Sequence, residues 1–385
     1  MVKVNNILID NAGFINKGAE LMLYASKEKL KEIIPDSDFV CRGNVPVNNT
    51  NSFFELTNQK RQNFVPVNFI PSIISKKFFR FVTSSHITHV FDAGGFRFGD
   101  QWAERYSDDF INSWIDFYEK IYKKGGTIVF LPQAFGPFNE ESARLFIKGI
   151  SPFIRLLIAR DEKSFENLRT VLGDDKRIRL FPDFTNIYVP KLNNNEKAIF
   201  NKFHGKICVI PNSKMLTHTE KKVADEYIPF LVNLTKKLKD IGEHVFFLNH
   251  EGKQDEDMIK EIIKNSNDSF DYVSGLNADQ VKWLIGKSKL VITSRFHGLV
   301  SAFSQSVPAF CTSWSHKYQE LLDDYKQSDC LLDVVRKSQS IEKIISFLGS
   351  IEWLTSTSSK LELLANTQKA RSIEMWSEVE KLFKR

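Results

Sequence analysis

The chain has 385 residues, 42% of them apolar and 26% charged, which excludes a disordered or low-complexity protein and is long enough for two hydrophobic cores. Its formal charge of +6 is too mild by itself to imply nucleic acid, so no nucleic-acid partner is expected. Cys41, Cys208, Cys311 and Cys330 form no CxxC pair and no Cys/His cluster, which argues against a disulfide framework or a zinc site.

The first strand, within Val4 to Ile9, follows Met1-Val2-Lys3 directly, and no run reaches the roughly 18 apolar residues of a bilayer span. A cytoplasmic protein is expected. The strand runs into Asp10-Asn11-Ala12-Gly13-Phe14-Ile15-Asn16-Lys17-Gly18-Ala19-Glu20 and a helix over Glu20 to Lys31. Glycines there let backbone approach a ligand, and Asn16, Lys17 and Glu20 place polar groups at the helix start. The spacing is neither GxGxxG nor a P-loop.

From Leu56 to Phe91 no acidic residue occurs, while Lys60, Arg61, Lys76, Lys77 and Arg80 alternate with Phe64, Phe69, Ile70, Ile73, Ile74, Phe78, Phe79 and Phe81. Apolar rings beside cations suit an anionic headgroup layer, so peripheral membrane association through 56–91 is one expectation; a helix packed by its phenylalanines is the other.

Strand–helix alternation continues with Val90-Phe91 and Ser107 to Lys123, Ile128 to Leu131 and Glu140 to Gly149, then Leu156 to Ala159 and Glu162 to Leu172. Such alternation predicts a parallel sheet with ligands at the carboxyl ends of its strands. The turns there carry the candidates. Asp92-Ala93-Gly94-Gly95-Phe96 suits a tight turn, with Gly94 and Gly95 lining a ligand or simply turning the chain. Leu131-Pro132-Gln133-Ala134-Phe135-Gly136-Pro137-Phe138 reads as a rigid turn exposing Gln133, whose amide can meet a sugar hydroxyl or a loop carbonyl. Arg160 closes a strand before Asp161, which suits a helix N-cap, and Asp183 of Pro182-Asp183-Phe184 offers a carboxylate as base or orienting group.

Pattern lapses between about Ile187 and Gly205, including Asn193-Asn194-Asn195, predict a linker between an N-terminal α/β domain (1–186) and a C-terminal one (206–355), followed by a C-terminal helix (356–385). The second domain repeats the alternation: strand Ile207 to Ile210, helix Ala224 to Ile241, strand His244 to Leu248, helix Asp255 to Asn265, strands Leu290 to Thr293 and Ala309 to Cys311, and helix Lys317 to Asp323. Its third strand delivers Arg295-Phe296-His297-Gly298 to a helix start, where a fixed cation, an imidazole and helix N–H groups favour an anion. Leu361, Leu364, Ile373, Trp376, Val379 and Leu382 give the last helix an apolar face that must pack on a domain.

In order, NAGFINKGAE, DAGGFRFGD, LPQAFGPF, ARDEKSFENL, FPDF and SRFHGLVSAFSQSVPAF, with Lys317 downstream, resemble the polysaccharide pyruvyl transferase family from Asn6 to about Asp323. Two positions depart from the family's usual pattern: Ala19 stands where aspartate is frequent, and Phe296 where an aliphatic residue is common. The resemblance implies a GT-B-like fold of two Rossmann-like α/β domains facing across a cleft, the first holding the acceptor and the second the donor. It implies transfer of pyruvate from phosphoenolpyruvate onto a sugar acceptor of a surface polysaccharide or its lipid-linked precursor, usually as a cyclic ketal.

Phosphoenolpyruvate needs concentrated positive charge, which Arg160 and Arg295 supply; the resemblance implies that both, together with Phe296 and His297, form the donor site, with Gly298, Lys17, Asn16, Gly94, Gly95, Gln133 and Lys317 as further substrate-binding candidates. His297 is the first acid/base candidate, with Asp183 and Glu20 behind it. No cofactor or metal is expected, since the arginines can neutralise the phosphate. Arg295→Ala and His297→Ala are expected to stop turnover with the fold intact. A GT-B glycosyltransferase with Asn249-His250-Glu251 on a nucleotide ribose, or a catalytically silent carbohydrate-binding protein, are the alternatives.

Overall fold

The computed structural model describes residues 4–57, 76, 77 and 80–384. Their contacts divide the chain into two compact units: residues up to Phe14, Met22–Phe184 and Arg371 onward in one, Ile15–Leu21 and Thr185–Ala370 in the other.

In the first unit, apolar runs with no alternation make strands buried on both faces, as a parallel sheet requires. The strands are β1 (Asn5–Asp10), β2 (Ser37–Cys41), β3 (Phe54–Thr57), β4 (Phe81–Thr83), β5 (His89–Asp92), β6 (Phe96–Phe98), β7 (Ile128–Phe135), β8 (Leu156–Ala159) and β9 (Ile178–Leu180). They are parallel in the order β4-β3-β2-β1-β5-β7-β8-β9, with β6 paired to the far end of β7. The order reverses between β1 and β5, whose last residues, Asp10 and Asp92, stand in register. Helices Asp108–Lys123, Glu141–Ile150 and Glu162–Leu172 belong to this unit; Ser107 and Asp161 cap the first and third through their side-chain oxygens.

The second unit holds β10 (Ile207–Ile210), β11 (Val245–Leu248), β12 (Asp271–Val273), β13 (Leu290–Thr293) and β14 (Ala309–Cys311), all parallel in the order β12-β11-β10-β13-β14. Here the order reverses between β10 and β13. Helices Lys221–Asp240, Gly252–Ser266, Ala278–Gly286 and Phe296–Phe303 alternate with these strands. Phe230, Leu234, Phe246, Ile292, Leu299 and Phe310 are among the fully or almost fully buried side chains of its core.

Three sequence expectations are corrected. Pro132 and Gln133 form no turn: they lie inside β7, and Gln133 is fully buried. A register shift in the β7–β8 pairing between Phe130 and Gln133 accommodates the proline, which has no N–H for the ladder. The stretch expected as a linker contains helix Asn194–Phe200, because Asn193 and Glu196 form a reciprocal capping box at its start. Residues 15–21, expected in the first domain, cluster with the second unit.

The last helix is longer than its apolar stripe suggested, spanning Ile351–Lys381. Within the first unit its end packs through Trp376, edge-on to Phe184 at 5.8 Å, and Phe383 beyond it rests against His89 and Phe91. Of the acid-free stretch, Lys60, Arg61, Phe64, Phe69, Ile70, Ile73, Ile74, Phe78 and Phe79 lie outside the described residues. Within them, Lys76 pairs with Asp38 at 2.6 Å, Arg80 sits over the Phe54 ring, and Phe81 is buried in β4. No described helix is long and apolar enough to cross a membrane.

Candidate functional site

Open parallel sheets bind ligands where the strand order reverses, because the loops leaving the two neighbouring strands diverge there. In the second unit that place is the carboxyl end of β10 and β13, and β13 leads into Arg295-Phe296-His297-Gly298. Arg295 is the N-cap of helix Phe296–Phe303, held in extended backbone conformation while its N–H donates to the Thr293 hydroxyl at 3.0 Å. Gly298 faces that hydroxyl so closely that an added Cβ would lie 2.5 Å from Oγ1.

The Arg295 guanidinium is buried, 5% exposed, and clamped by two carboxylates: Nη1 donates to Glu251 and Nη2 to Asp255. Asp255 is fully buried and also accepts the Ser213 N–H at 2.9 Å. The fixed cation expected at this helix start is thus held within an ion-pair cluster. Its Nε has no hydrogen bond among the described residues.

Residues 15–21 complete this region. The Lys17 N–H donates to the His250 carbonyl at 3.1 Å, and Asn16 forms an isolated bridge with Glu251. The Asn16 side-chain oxygen accepts the N–H groups of Gly18 and Ala19, so its amide caps helix Lys17–Ile33. Lys17 Nζ pairs with the buried Glu20 at 2.7 Å. Gly18 packs directly on the His297 imidazole, which is half-buried and meets the Phe296 ring edge-on at 5.5 Å. Lys317, at the start of helix Lys317–Asp324, places its ammonium 4.2 Å from the Trp314 ring centre and 5.6 Å from that of Phe296. His250, which the sequence offered only for a nucleotide, is 3% exposed, and burial together with Arg295, His297 and Lys17 holds its pKa well below the ordinary 6.5. It is therefore neutral at physiological pH.

The first unit carries a second polar cluster at its own reversal point. Asp10 and Asp92, both fully buried, end β1 and β5 side by side. Arg42 binds Asp10 through Nε at 2.5 Å and Nη2 at 3.0 Å; Arg97 binds Asp92 at 2.8 Å. Asp92 also accepts from Asn11, the Gly94 N–H and Gln133 Nε2. Burial pushes its carboxyl pKa up, against the pull of Arg97 and with a further push from Asp10. Gly94 and Gly95 thus turn the chain around a buried carboxylate, and Gln133 is spent on it. Gly95 has φ +67°, and a Cβ there would sit 3.3 Å from Met22 and 4.0 Å from Arg160 Nη1. Arg160, after β8, pairs with Asp183 at 3.3 Å, both side chains almost fully buried. Sequence reading singled out the glycines of these loops and missed the aspartates before them, although DNAG and DAGG each place Asp at the last residue of a strand.

A family model described as polysaccharide pyruvyl transferase matches residues 16–316. Comparison with curated protein sequences finds no match. Among solved structures, the Anabaena protein Alr3699/HepE in complex with UDP aligns at TM-score 0.60 and 8% identity, covering 98% of this chain and 99% of that one. A Rickettsia africae glycosyltransferase aligns at 0.55 and 13% identity over 98% of both chains. The UDP-GlcNAc 2-epimerase of Neisseria meningitidis bound to UDP-GlcNAc aligns at 0.56 and 11%, covering 95% and 98%. At these identities the likeness is one of fold: a two-domain, GT-B-like α/β architecture.

Proposed function

This chain belongs to the polysaccharide pyruvyl transferase family, and from that premise we propose that it moves pyruvate from phosphoenolpyruvate onto a sugar of a surface polysaccharide or its lipid-linked precursor, forming a cyclic ketal. The observation that carries this reading is the gathering of Lys17, His250, Arg295 and His297 in the second unit, where the Lys17 N–H donates to the His250 carbonyl, Gly18 lies on the His297 ring and Arg295 is held by Glu251 beside His250. Two cations, each oriented by carboxylates, beside a neutral imidazole suit a donor that brings a phosphate and a carboxylate.

In the proposed reaction a sugar hydroxyl oxygen bonds to the donor's C2 while a proton goes to its C3, turning methylene into methyl. A second hydroxyl then attacks C2, and the C2–O bond to phosphate breaks, releasing inorganic phosphate. His297 is assigned the proton transfers, Arg295 and Lys17 the donor's anionic groups, and Phe296, Gly298 and Lys317 the walls around them. Asn16 and Glu20 support that helix start as cap and ion-pair partner. On the first unit, Arg160 and Asp183 act as a pair in substrate binding; Gly94, Gly95 and Gln133 shape the loop around Asp92. A membrane-face location for a lipid-linked acceptor belongs to the same proposal.

Sugar acceptors incubated with the protein and phosphoenolpyruvate should gain the pyruvyl mass increment with release of phosphate. Nucleoside diphosphate release from a nucleotide sugar, with no phosphate from phosphoenolpyruvate, would instead support a glycosyltransferase. The solved relatives that hold UDP raise that alternative. Against it, the Glu251 carboxylate that could serve a ribose is engaged by Arg295.

A further inference from the structure

The first unit has a cavity of about 350 Å³ at the loops leaving β1 and β5, lined by Asn11, Arg97, Trp102, Arg105 and Trp114, among others. That volume suits a monosaccharide and lies at the low end of ligand pockets. Among the described residues no carboxylate lines it. Two guanidinium groups do, each laid on an indole: Arg97 Cζ is 3.9 Å from the Trp114 ring centre and Arg105 Cζ 4.6 Å from that of Trp102. Stacking fixes the plane of a guanidinium and so pre-orients its donors for a carboxylate or phosphate.

The scaffold behind these groups is tied down. Trp102 Nε1 donates to the Phe96 carbonyl at 3.1 Å, and the Tyr106 hydroxyl to the Arg97 carbonyl at 2.9 Å, fastening the 3₁₀ turn Asp100–Arg105 to β6. Asp92 holds one end of Arg97. Arg105 is exposed and has no ion pair among the described residues. Among the described residues, one cation in the cavity is therefore compensated and the other is not.

We propose that this cavity binds the sugar acceptor, and that the acceptor bears an anionic group, carboxylate or phosphate, received by Arg105 and Arg97. The assignment to an acceptor rests on the pyruvyl transfer reading; the binding of an anionic sugar does not.

Calorimetric titration of the full chain with methyl glucuronide, glucose 1-phosphate and methyl glucoside tests it without any donor present. The expected result is binding of at least one anionic sugar at least about tenfold tighter than the neutral glucoside, as charge-assisted hydrogen bonds imply. Preference for the glucuronide identifies a sugar acid, and preference for the phosphate a sugar phosphate. Arg105→Gln should abolish that preference with an unchanged circular dichroism spectrum, and Arg105→Lys should restore only part of it. Equal affinity for all three sugars, no binding of either anion, or an Arg105→Gln variant that keeps the preference overturns the proposal. Phosphate release from phosphoenolpyruvate, measured on the same preparations, separates the readings. Release without anionic-sugar binding sinks the cavity alone, and binding without release on any acceptor sinks the transferase reading alone.

Discussion

Gly18 lies against the imidazole of His297, and a Cβ built on it would fall 2.3 Å from Nδ1 and 2.6 Å from Cγ. Two segments far apart in the chain thereby fix one another, and the glycine is required by contact, since it occupies an ordinary helical position. In a helix, Gly→Ala alone favours folding by up to about 1 kcal/mol. Gly18→Ala should therefore displace the imidazole and lower kcat at least about tenfold while the Tm holds or falls only slightly. Thermal melts and phosphate-release kinetics on the same preparation check this, and unchanged kcat would remove His297 from proton transfer.

Arg295 and His297 should separate in their effects. Arg295→Ala leaves Glu251 and the fully buried Asp255 without their cation, so a loss of about 3–5 kcal/mol in stability is expected. The expectation of an intact fold is thus withdrawn for that variant. His297→Ala removes a half-buried ring and should change stability by about 1 kcal/mol or less, while lowering turnover roughly 30-fold to 1,000-fold. Denaturant unfolding of both variants distinguishes the two roles; equal stabilities would contradict the clamp.

The pH dependence of stability should carry the mark of His89. Burial lowers its pKa to about 4 from 6.5, and its Nδ1 accepts the Thr127 N–H at 3.1 Å, which requires the neutral ring. The unfolded chain takes up a proton from pH 6.5 downward while the folded chain does not until about 4, so stability falls across that window and not above it. His89→Gln should flatten part of the slope. His250 acts in the same direction, so some slope should remain. Tm measured from pH 8 to 4 decides it.

The chain end is structural. Trp376 is 4% exposed and packs on Phe184, so Trp376→Ala should cost about 3–5 kcal/mol and lower the Tm by roughly 10 °C. Truncation before Arg371 removes the Phe383 contacts as well and should cost more. A truncated protein with the parent Tm would contradict this packing.

Peripheral membrane binding is tested by pelleting with anionic liposomes at low and high salt. Reversal of Lys77 and Arg80, both exposed, should release the protein into the supernatant. Lys76 is a poorer probe, since reversing it also breaks its ion pair with Asp38. A wild-type protein that stays in the supernatant at low salt ends the membrane proposal and leaves the pyruvyl transfer proposal standing.

The sequence by itself determined the alternating strands and helices, because apolar runs of strand length and helical stripes are local signals read within ten or twenty residues. It likewise placed Asn11 to Glu20, Gly94-Gly95 and Arg295 to Gly298 after strands, where ligand loops belong. It misplaced Gln133 because Pro132 reads as a turn when the register shift that accommodates it is not visible, and Asn193 because an asparagine run signals a loop as readily as a cap. What only the tertiary structure decided is how the charges are spent. Arg295 meets carboxylates 44 and 40 residues away, Asn11 binds Asp92 81 residues on, and Gly18 touches His297. Sheet order sets those partnerships by bringing the ends of non-consecutive strands together, and no local periodicity encodes which strand lies next to which.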